Sequence, residues 1–277
     1  MKKLWLFAFA VLSAWQVDAQ QLKTPQPSTA QTIKQDVGLG SIELSYSRPN
    51  AKGRKVFGDL VPYNKVWRTG ANNATTLNFT DEYTIGGVKI KPGKYGLLTI
   101  PGETSWTLII SKQTDVTSPA AYKQSEDVVR VNANVMVMSG AVETFTMQFA
   151  NVKDNGCELH IMWDKTAVAL PITTEVDSKV MMQIEQIMNG DSKPYYAAAS
   201  YYAENGKDLN IAAAWYEKAI QQNPKAYWVH YQLARTYAKL GKKAEALAAS
   251  QKSLELAKEQ KNEDYVALNQ KLQQELK

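Results

Sequence analysis

The sequence predicts an all-β antiparallel sandwich followed by an all-α domain of short, paired helices. Three observations carry that reading. Apolar residues alternate with polar ones up to about Thr173, as in Ile42, Leu44 and Tyr46, and alternation with period two marks strands with one buried face. Turn chemistry separates these runs at Gly86-Gly87, Lys91-Pro92-Gly93, Pro101-Gly102 and Asn155-Gly156. Turns spaced about ten residues apart suit antiparallel pairing rather than βαβ units. Past Asp177 the composition shifts to Ala, Gln, Glu, Lys and Leu, which are good helix formers.

The N-terminus sets the expected compartment. Met1-Lys2-Lys3 is basic, residues 4–15 are apolar, and Val17-Asp18-Ala19 offers small residues to a signal peptidase. Residues 1–19 therefore read as a signal peptide cleaved before Gln20. Gln16 and Asp18 interrupt the apolar run too early for a membrane span, which needs roughly 20 apolar residues. No other stretch is apolar enough to span a bilayer, so the mature chain is expected to be exported without a membrane span. Cys157 is the only cysteine, which rules out an intramolecular disulfide and favours a bacterial periplasm over a eukaryotic secretory route. Its place beside Gly156 at a strand start suits a small buried residue rather than a nucleophile.

Residues 20–176 are expected to form roughly nine or ten short strands, enough to bury the two inner faces of a sandwich. Leu77 and Phe79, the run Val129, Val131, Ala133, Val135 and Val137, then Phe145, Met147 and Phe149, and Leu159, Ile161 and Trp163 continue the alternation. Residues 114–125 break it, and Pro119-Ala120-Ala121-Tyr122 reads as a short helix or a lid crossing one end.

Residues 177–277 are cut at Asn189-Gly190, Asn205-Gly206, Asn223-Pro224, Gly241 and near Asn262, which predicts about six helices joined by short turns. Compared at a period of about 34 residues, Ala212, Tyr216, Ala219 and Pro224 fall on the small, aromatic, small and proline positions of a tetratricopeptide repeat. Leu233, Ala234, Tyr237, Gly241 and Ala246 fall on the corresponding positions of the next unit, while Gly206 is offset by one and Ser250, Ser253 and Lys258 depart from the pattern. The tail resembles two degenerate tetratricopeptide repeats flanked by helices at 178–188 and 262–276. Such stacks present a concave groove to a peptide or protein partner; a plain helical bundle is the alternative.

The stretch 48–79 stands out from both halves. It gathers Arg48, Lys52, Arg54, Lys55, Lys65 and Arg68 around Tyr63, Trp67, Asn72 and Asn73, with Asp59 as its one carboxylate. It lacks clean alternation, and a long ordered loop in a compact domain is usually functional. The chain as a whole is only mildly basic, 32 Lys and Arg against 27 Asp and Glu, and removing residues 1–19 lowers the net charge by one. That does not suggest nucleic acid, which would want a concentrated basic face. The unevenness favours a polar or anionic partner at this loop. The candidate ligand-binding residues are Arg48, Lys52, Arg54, Lys65, Trp67, Arg68, Asn72 and Asn73. Their guanidinium and amide groups would bind hydroxyls or carboxylates, and an aromatic face could stack on a sugar. Trp67 itself reads as structural, Arg48 as tying the loop to the sheet through carbonyls, and Asp59 as pairing with Arg54, Lys55 or Arg68.

The same stretch carries a family resemblance. Ser45-Tyr46-Ser47-Arg48-Pro49, Lys52-Gly53-Arg54, Phe57-Gly58, Leu60-Val61-Pro62-Tyr63, Lys65-Val66-Trp67-Arg68-Thr69-Gly70-Ala71-Asn72 and Ala74-Thr75-Thr76 resemble a bacterial secreted family of unknown function, DUF2911. Pro92-Gly93-Lys94-Tyr95-Gly96, Ile100-Pro101 and Trp106 extend the match. The resemblance implies export and kinship but brings no activity, and members with appended tetratricopeptide-like helices fit the tail.

No catalytic residue, metal site or cofactor is expected. The two histidines, His160 on a strand and His230 in a helix, lack partners at metal-ligating spacing, and no nucleophile elbow, phosphate loop or HExxH motif occurs. The preferred function is an exported, non-enzymatic binding or scaffold protein, its loop taking a small polar or anionic ligand and its tail docking a protein. A periplasmic hydrolase of an envelope glycan or peptide, using Asp59 or His160, is the alternative. A purely structural assembly factor with a rigid loop is a third reading.

Overall fold

A computed structural model describes residues 24–277. The signal-peptide reading of residues 1–19 lies outside the described residues. The chain divides into two compact units, one ending at Glu175 and the other running from Val176 to Lys277.

The first unit holds ten strands: β1 (Thr29–Val37), β2 (Gly40–Arg48), β3 (Thr76–Phe79), β4 (Tyr83–Ile85), β5 (Val88–Ile90), β6 (Gly93–Ile100), β7 (Ser105–Ser111), β8 (Asp127–Asn134), β9 (Met136–Lys153) and β10 (Gly156–Thr173). All pair antiparallel, in a six-stranded sheet ordered β1-β2-β3-β6-β7-β8 and a four-stranded sheet ordered β5-β4-β10-β9. The alternation becomes the core. Ile42, Leu44, Leu77, Trp106 and Leu108 of one sheet share a buried cluster with Phe145, Met147, Leu159, Ile161 and Trp163 of the other. Cys157 lies in the same core, where burial pushes its thiol up to about 11.

Two details depart from the sequence reading. The run from Val129 to Val137 is not one strand. β8 ends at Asn134, the Val135 amide donates to the Thr104 carbonyl, and β9 then joins the other sheet. Crossing between sheets reverses which face is inward, so Val137 is 84% exposed although the alternation continues through it. Residues 112–126 do not cross an end as a lid. They cover the outer face of β6 and β7, where Val116 and the half-buried Tyr122 pack on Leu98 and Ile109. The expected short helix is there, a single 3₁₀ turn at Pro119–Ala121. Gly96 makes this cover possible, because a Cβ on it would stand 2.0 Å from the Gln113 carbonyl oxygen.

The second unit is helical throughout: α1 (Asp177–Met188), α2 (Tyr195–Glu204), α3 (Leu209–Gln222), α4 (Tyr227–Lys239), α5 (Lys243–Glu259) and α6 (Glu263–Glu275). Every boundary falls at the predicted punctuation, with Gly206 and Gly241 at positive φ. Asp208 and Asn262 cap α3 and α6 through their side chains, satisfying amides a helix start leaves open. Ala212, Tyr216, Ala219, Leu233, Ala234 and Ala246 are all buried; small residues let paired helices approach while Tyr216 fills the space between them. The departures Ser250 and Ser253 are fully buried as well, and Asn269 of α6 answers them. Its Nδ2 donates to Ser253 Oγ at 2.8 Å, its Oδ1 accepts from Ser250 Oγ at 3.0 Å, and Ser253 in turn donates to the Tyr227 carbonyl at 2.8 Å. Among the described residues, no helix is long and apolar enough to cross a membrane.

Candidate functional site

The chain from residue 49 to residue 75 connects β2 to β3 without forming a strand of its own. It is held by backbone hydrogen bonds to both sheets. The Ala51 amide donates to the Glu143 carbonyl at 2.8 Å, Asn64 to Pro101 at 2.8 Å, and Trp67 exchanges two bonds with Thr99 at 2.7 and 3.0 Å. Thr99 lies on β6 beyond the residues that pair with β3, so Trp67 continues the ladder where β3 is absent.

Aromatic rings anchor the same loop. Phe57 and Trp67 enter the core, with Trp67 stacked on Trp163 at 6.0 Å and edge-on to Phe145 at 5.1 Å, and Phe57 against Trp106 at 4.9 Å. Trp67 Nε1 donates to the Gly70 carbonyl at 3.0 Å. The indole face is thus occupied by protein rather than offered to a sugar. Gly70 has φ 154°, and a Cβ there would meet the Ser47 carbonyl oxygen at 2.9 Å. Four residues of the loop other than glycine take positive φ: Lys52, Asn64, Thr69 and Asn72. For a β-branched residue this is an outlier, yet Thr69 is fully buried and its hydroxyl lies 3.1 Å from that of Thr99. Backbone strain of this kind clusters at functional sites.

The cations of the loop divide into two sets. Arg48 donates to the Phe145 carbonyl at 3.1 Å and to Thr146 Oγ1 at 2.9 Å, tying the loop to the opposite sheet. Arg54 folds back on its own turn, Nε to the Ala51 carbonyl at 2.9 Å and Nη2 to that of Asn50 at 2.6 Å. Asn72 donates to the Ser28 carbonyl at 3.0 Å. Lys52, Lys65 and Asn73 are exposed. Arg68 makes one bond, Nη1 to the Thr117 carbonyl at 2.6 Å, and its buried Nε has no partner among the described residues. Asp59 corrects the sequence reading: it is exposed and forms no ion pair with Arg54, Lys55 or Arg68. Both arginines are already engaged by carbonyl oxygens, which removes the need for it.

Two clefts open on this surface. The larger, about 400 Å³, is lined by Lys52, Arg54, Trp67 and Arg68 together with Pro49, Leu60, Val61 and Trp163. The smaller, about 280 Å³, takes in Lys65 and Arg68 with Val66, Thr117, Ser118 and Pro119, and shares Leu60, Val61, Trp67 and Arg68 with the first. No carboxylate lines either. Asn73 lines a third hollow of about 410 Å³ beside Lys94 and Asp115, and Arg48 and Asn72 line none of the three. Sequence reasoning missed Trp163, Thr117 and Ser118, which reach the site from distant elements with no local signal. His160 lies on β10, 2.8 Å from Glu158 Oε2, a carboxylate that this bond and one from Asn151 hold below its usual range. Neither His160 nor Asp59 lines the clefts. Among the described residues, no group of three His, Cys, Asp or Glu side chains is placed to hold a metal.

A β-sandwich with a loop-built cationic cleft, followed by a unit of paired repeat helices, is the class of protein this fold defines. Residues 28–172, more than half of the chain, match the family model described as "Protein of unknown function (DUF2911)", and the chain belongs to that family. A tetratricopeptide repeat model matches residues 215–248. Among solved structures, the chain is similar to a tetratricopeptide repeat domain protein from Salinibacter ruber, with 20% identity, a TM-score of 0.28, and coverage of 30% of this chain and 91% of that one. No curated protein matches.

Proposed function

We propose that the chain is an exported binding and scaffold protein of the bacterial periplasm that performs no chemistry of its own. In this reading the β-sandwich presents its loop cleft to a small polar or anionic ligand, and the helical unit docks a protein partner. The observation that carries the ligand half is the convergence of Lys52, Arg54 and Arg68 on one cleft without a carboxylate in its lining, since a concave site lined by charge of one sign concentrates ions of the other. The repeat helices support the partner half, because stacked helix pairs of this type offer extended binding surfaces. The hydrolase reading is less supported, because neither Asp59 nor His160 lines the clefts.

The test is a thermal-shift screen of the full chain against small anions, sugars and nucleotides, with Arg68→Ala run in parallel. A ligand of the folded state at 100 times its Kd adds about 2.7 kcal/mol. A raised midpoint that is lost in the folded variant supports the reading. No shift with any compound, or release of product from any of them, contradicts it.

A further inference from the structure

The cations of the larger cleft are not scattered evenly along the loop. Asn50, Lys52 and Arg54 line it from one tight turn. The Arg54 amide closes that turn on the Ala51 carbonyl at 3.1 Å, with Lys52 and Gly53 both at positive φ, the backbone of the tightest hairpin-type turn. β9 holds the turn in place. The Ala51 amide donates to the Glu143 carbonyl at 2.8 Å and the Lys52 amide to Glu143 Oε1 at 2.7 Å. The Glu143 carboxylate is thus engaged by backbone and does not line the cleft.

The donors are fixed without being neutralised. Arg54 is exposed, and the carbonyls that take its Nε and Nη2 orient the guanidinium but carry no charge to cancel its own. Thr144 donates to Asn50 Oδ1 at 2.7 Å, so the amide keeps Nδ2 as a donor. Arg68 brings a third cation to the cleft from further along the loop. Among the described residues, none of the three cations forms an ion pair. A monoanion would leave two of the three charges uncompensated, whereas a dianion leaves one. Donors gathered on one turn suit a charge concentrated on one centre, rather than two carboxylates set apart on a chain. Arginine and lysine heads are the side chains that bind phosphate oxygens best.

We propose that the larger cleft takes a small phosphate monoester, with the dianionic phosphate at the Asn50–Arg54 turn and Arg68 completing its charge. The organic body lies along the apolar wall of Pro27, Pro49, Leu60 and Val61. This rests on the cleft being an anion site, as proposed above, and narrows the class of its ligand.

The experiment separates charge from shape. Phenyl phosphate, phenyl sulfate and succinate are each titrated into the ¹⁵N-labelled full chain at pH 8. A phosphate monoester loses its second proton near about pH 6, so phenyl phosphate is then a dianion, and phenyl sulfate is a monoanion of the same shape. The expected result is saturable movement of the amides of Lys52, Arg54 and Gly70, with phenyl phosphate bound about tenfold or more tighter than phenyl sulfate. Lys52→Gln should weaken phenyl phosphate by about fivefold or more. Lys153→Gln, at an exposed position outside the cleft, should leave it unchanged. Equal affinity for phosphate and sulfate overturns the dianion class while an anion site survives. Tightest binding of succinate overturns the phosphate class in favour of two separated charges. Equal losses in the two lysine variants, or shifts that miss the turn, overturn the placement. No response to any of the three probes overturns both this proposal and the reading beneath it. Where Lys52→Gln folds poorly, the wild-type affinity ratio and the position of the shifts decide.

Discussion

The loop at 49–75 and the helices at 195–275 are both rich in large aromatic side chains, and they use them in opposite ways. In the helices, the regular backbone satisfies its own hydrogen bonds. Rings such as Tyr216, and edge-on pairs such as Tyr202 with Trp215 at 4.7 Å, only have to fill spaces that alanines leave between neighbours. The loop has no ladder of its own. Its order comes from Phe57 and Trp67 driven into the sandwich core and from amides and guanidinium groups bonded to carbonyls of both sheets. The lesson is that an irregular segment becomes rigid by spending side chains on architecture. Of its arginines, Arg48 and Arg54 are spent on such bonds, and Arg68 keeps an unsatisfied donor.

The contrast can be broken most severely at Trp67. Trp67→Ala removes a ring packed against Phe57, Trp106, Phe145 and Trp163, and a loss of about 3–5 kcal/mol is expected. Urea denaturation followed by fluorescence measures it; a loss below about 1 kcal/mol would mean that the ring does not anchor the loop. In the helical unit the matching test is Asn269→Leu. This takes from the buried Ser250 hydroxyl its acceptor at 3.0 Å and from Ser253 its donor, while Ser253 keeps its bond to the Tyr227 carbonyl, and it is expected to cost about 1–3 kcal/mol. An unchanged midpoint would show that the polar cluster is dispensable.

A smaller effect is expected from pH. Burial is the main cause holding His230 below its usual 6.5, against a bond to the Pro224 carbonyl that pulls it up. As pH falls through about 6.5, the unfolded chain therefore takes up its proton first. Stability declines across that range and levels off only below the folded value. Subtracting the profile of His230→Gln from that of the wild type should isolate this slope; identical profiles would remove His230 as its source. The smallest effect is expected at Asp59. With no ion pair to lose, Asp59→Asn should shift stability by less than about 0.5 kcal/mol and leave any ligand-induced midpoint shift intact. A larger loss would restore the loop-holding role that the sequence suggests.

Much of this architecture is legible in the chain because its signals are local. Helix boundaries sit at Asn189-Gly190, Asn205-Gly206, Asn223-Pro224 and Gly241 because breakers act on their own backbone. The inward positions of Ile42, Leu44, Leu159 and Ile161 follow from period two. The misreadings came from nonlocal causes. Val137 changes face because the strand switches sheets at Val135, and alternation carries no mark of that switch. Residues 112–126 lie over β6 and β7 because Gly96 leaves room and Leu98 and Ile109 need cover. The composition of the basic loop was readable, but its division into spent and unspent cations was not. For Arg48 and Arg68 that division depends on the carbonyls of Phe145 and Thr117, which lie far along the sequence, and Asp59 pairs with neither expected arginine because Arg54 bonds to the carbonyls of Asn50 and Ala51 and Arg68 to that of Thr117.

Bonds to both sheets and two core rings make the loop rigid while it lines a cationic cleft. Amide hydrogen exchange on the full chain is the decisive measurement, because exchange reports local opening rather than static geometry. The prediction is that the amides of Ala51, Val61, Asn64 and Trp67, each bonded to a backbone carbonyl, exchange as slowly as those of Leu97 and Ile109 in the central strands. Exchange of those loop amides at the rate of an open surface segment, with the strands still protected, would contradict it.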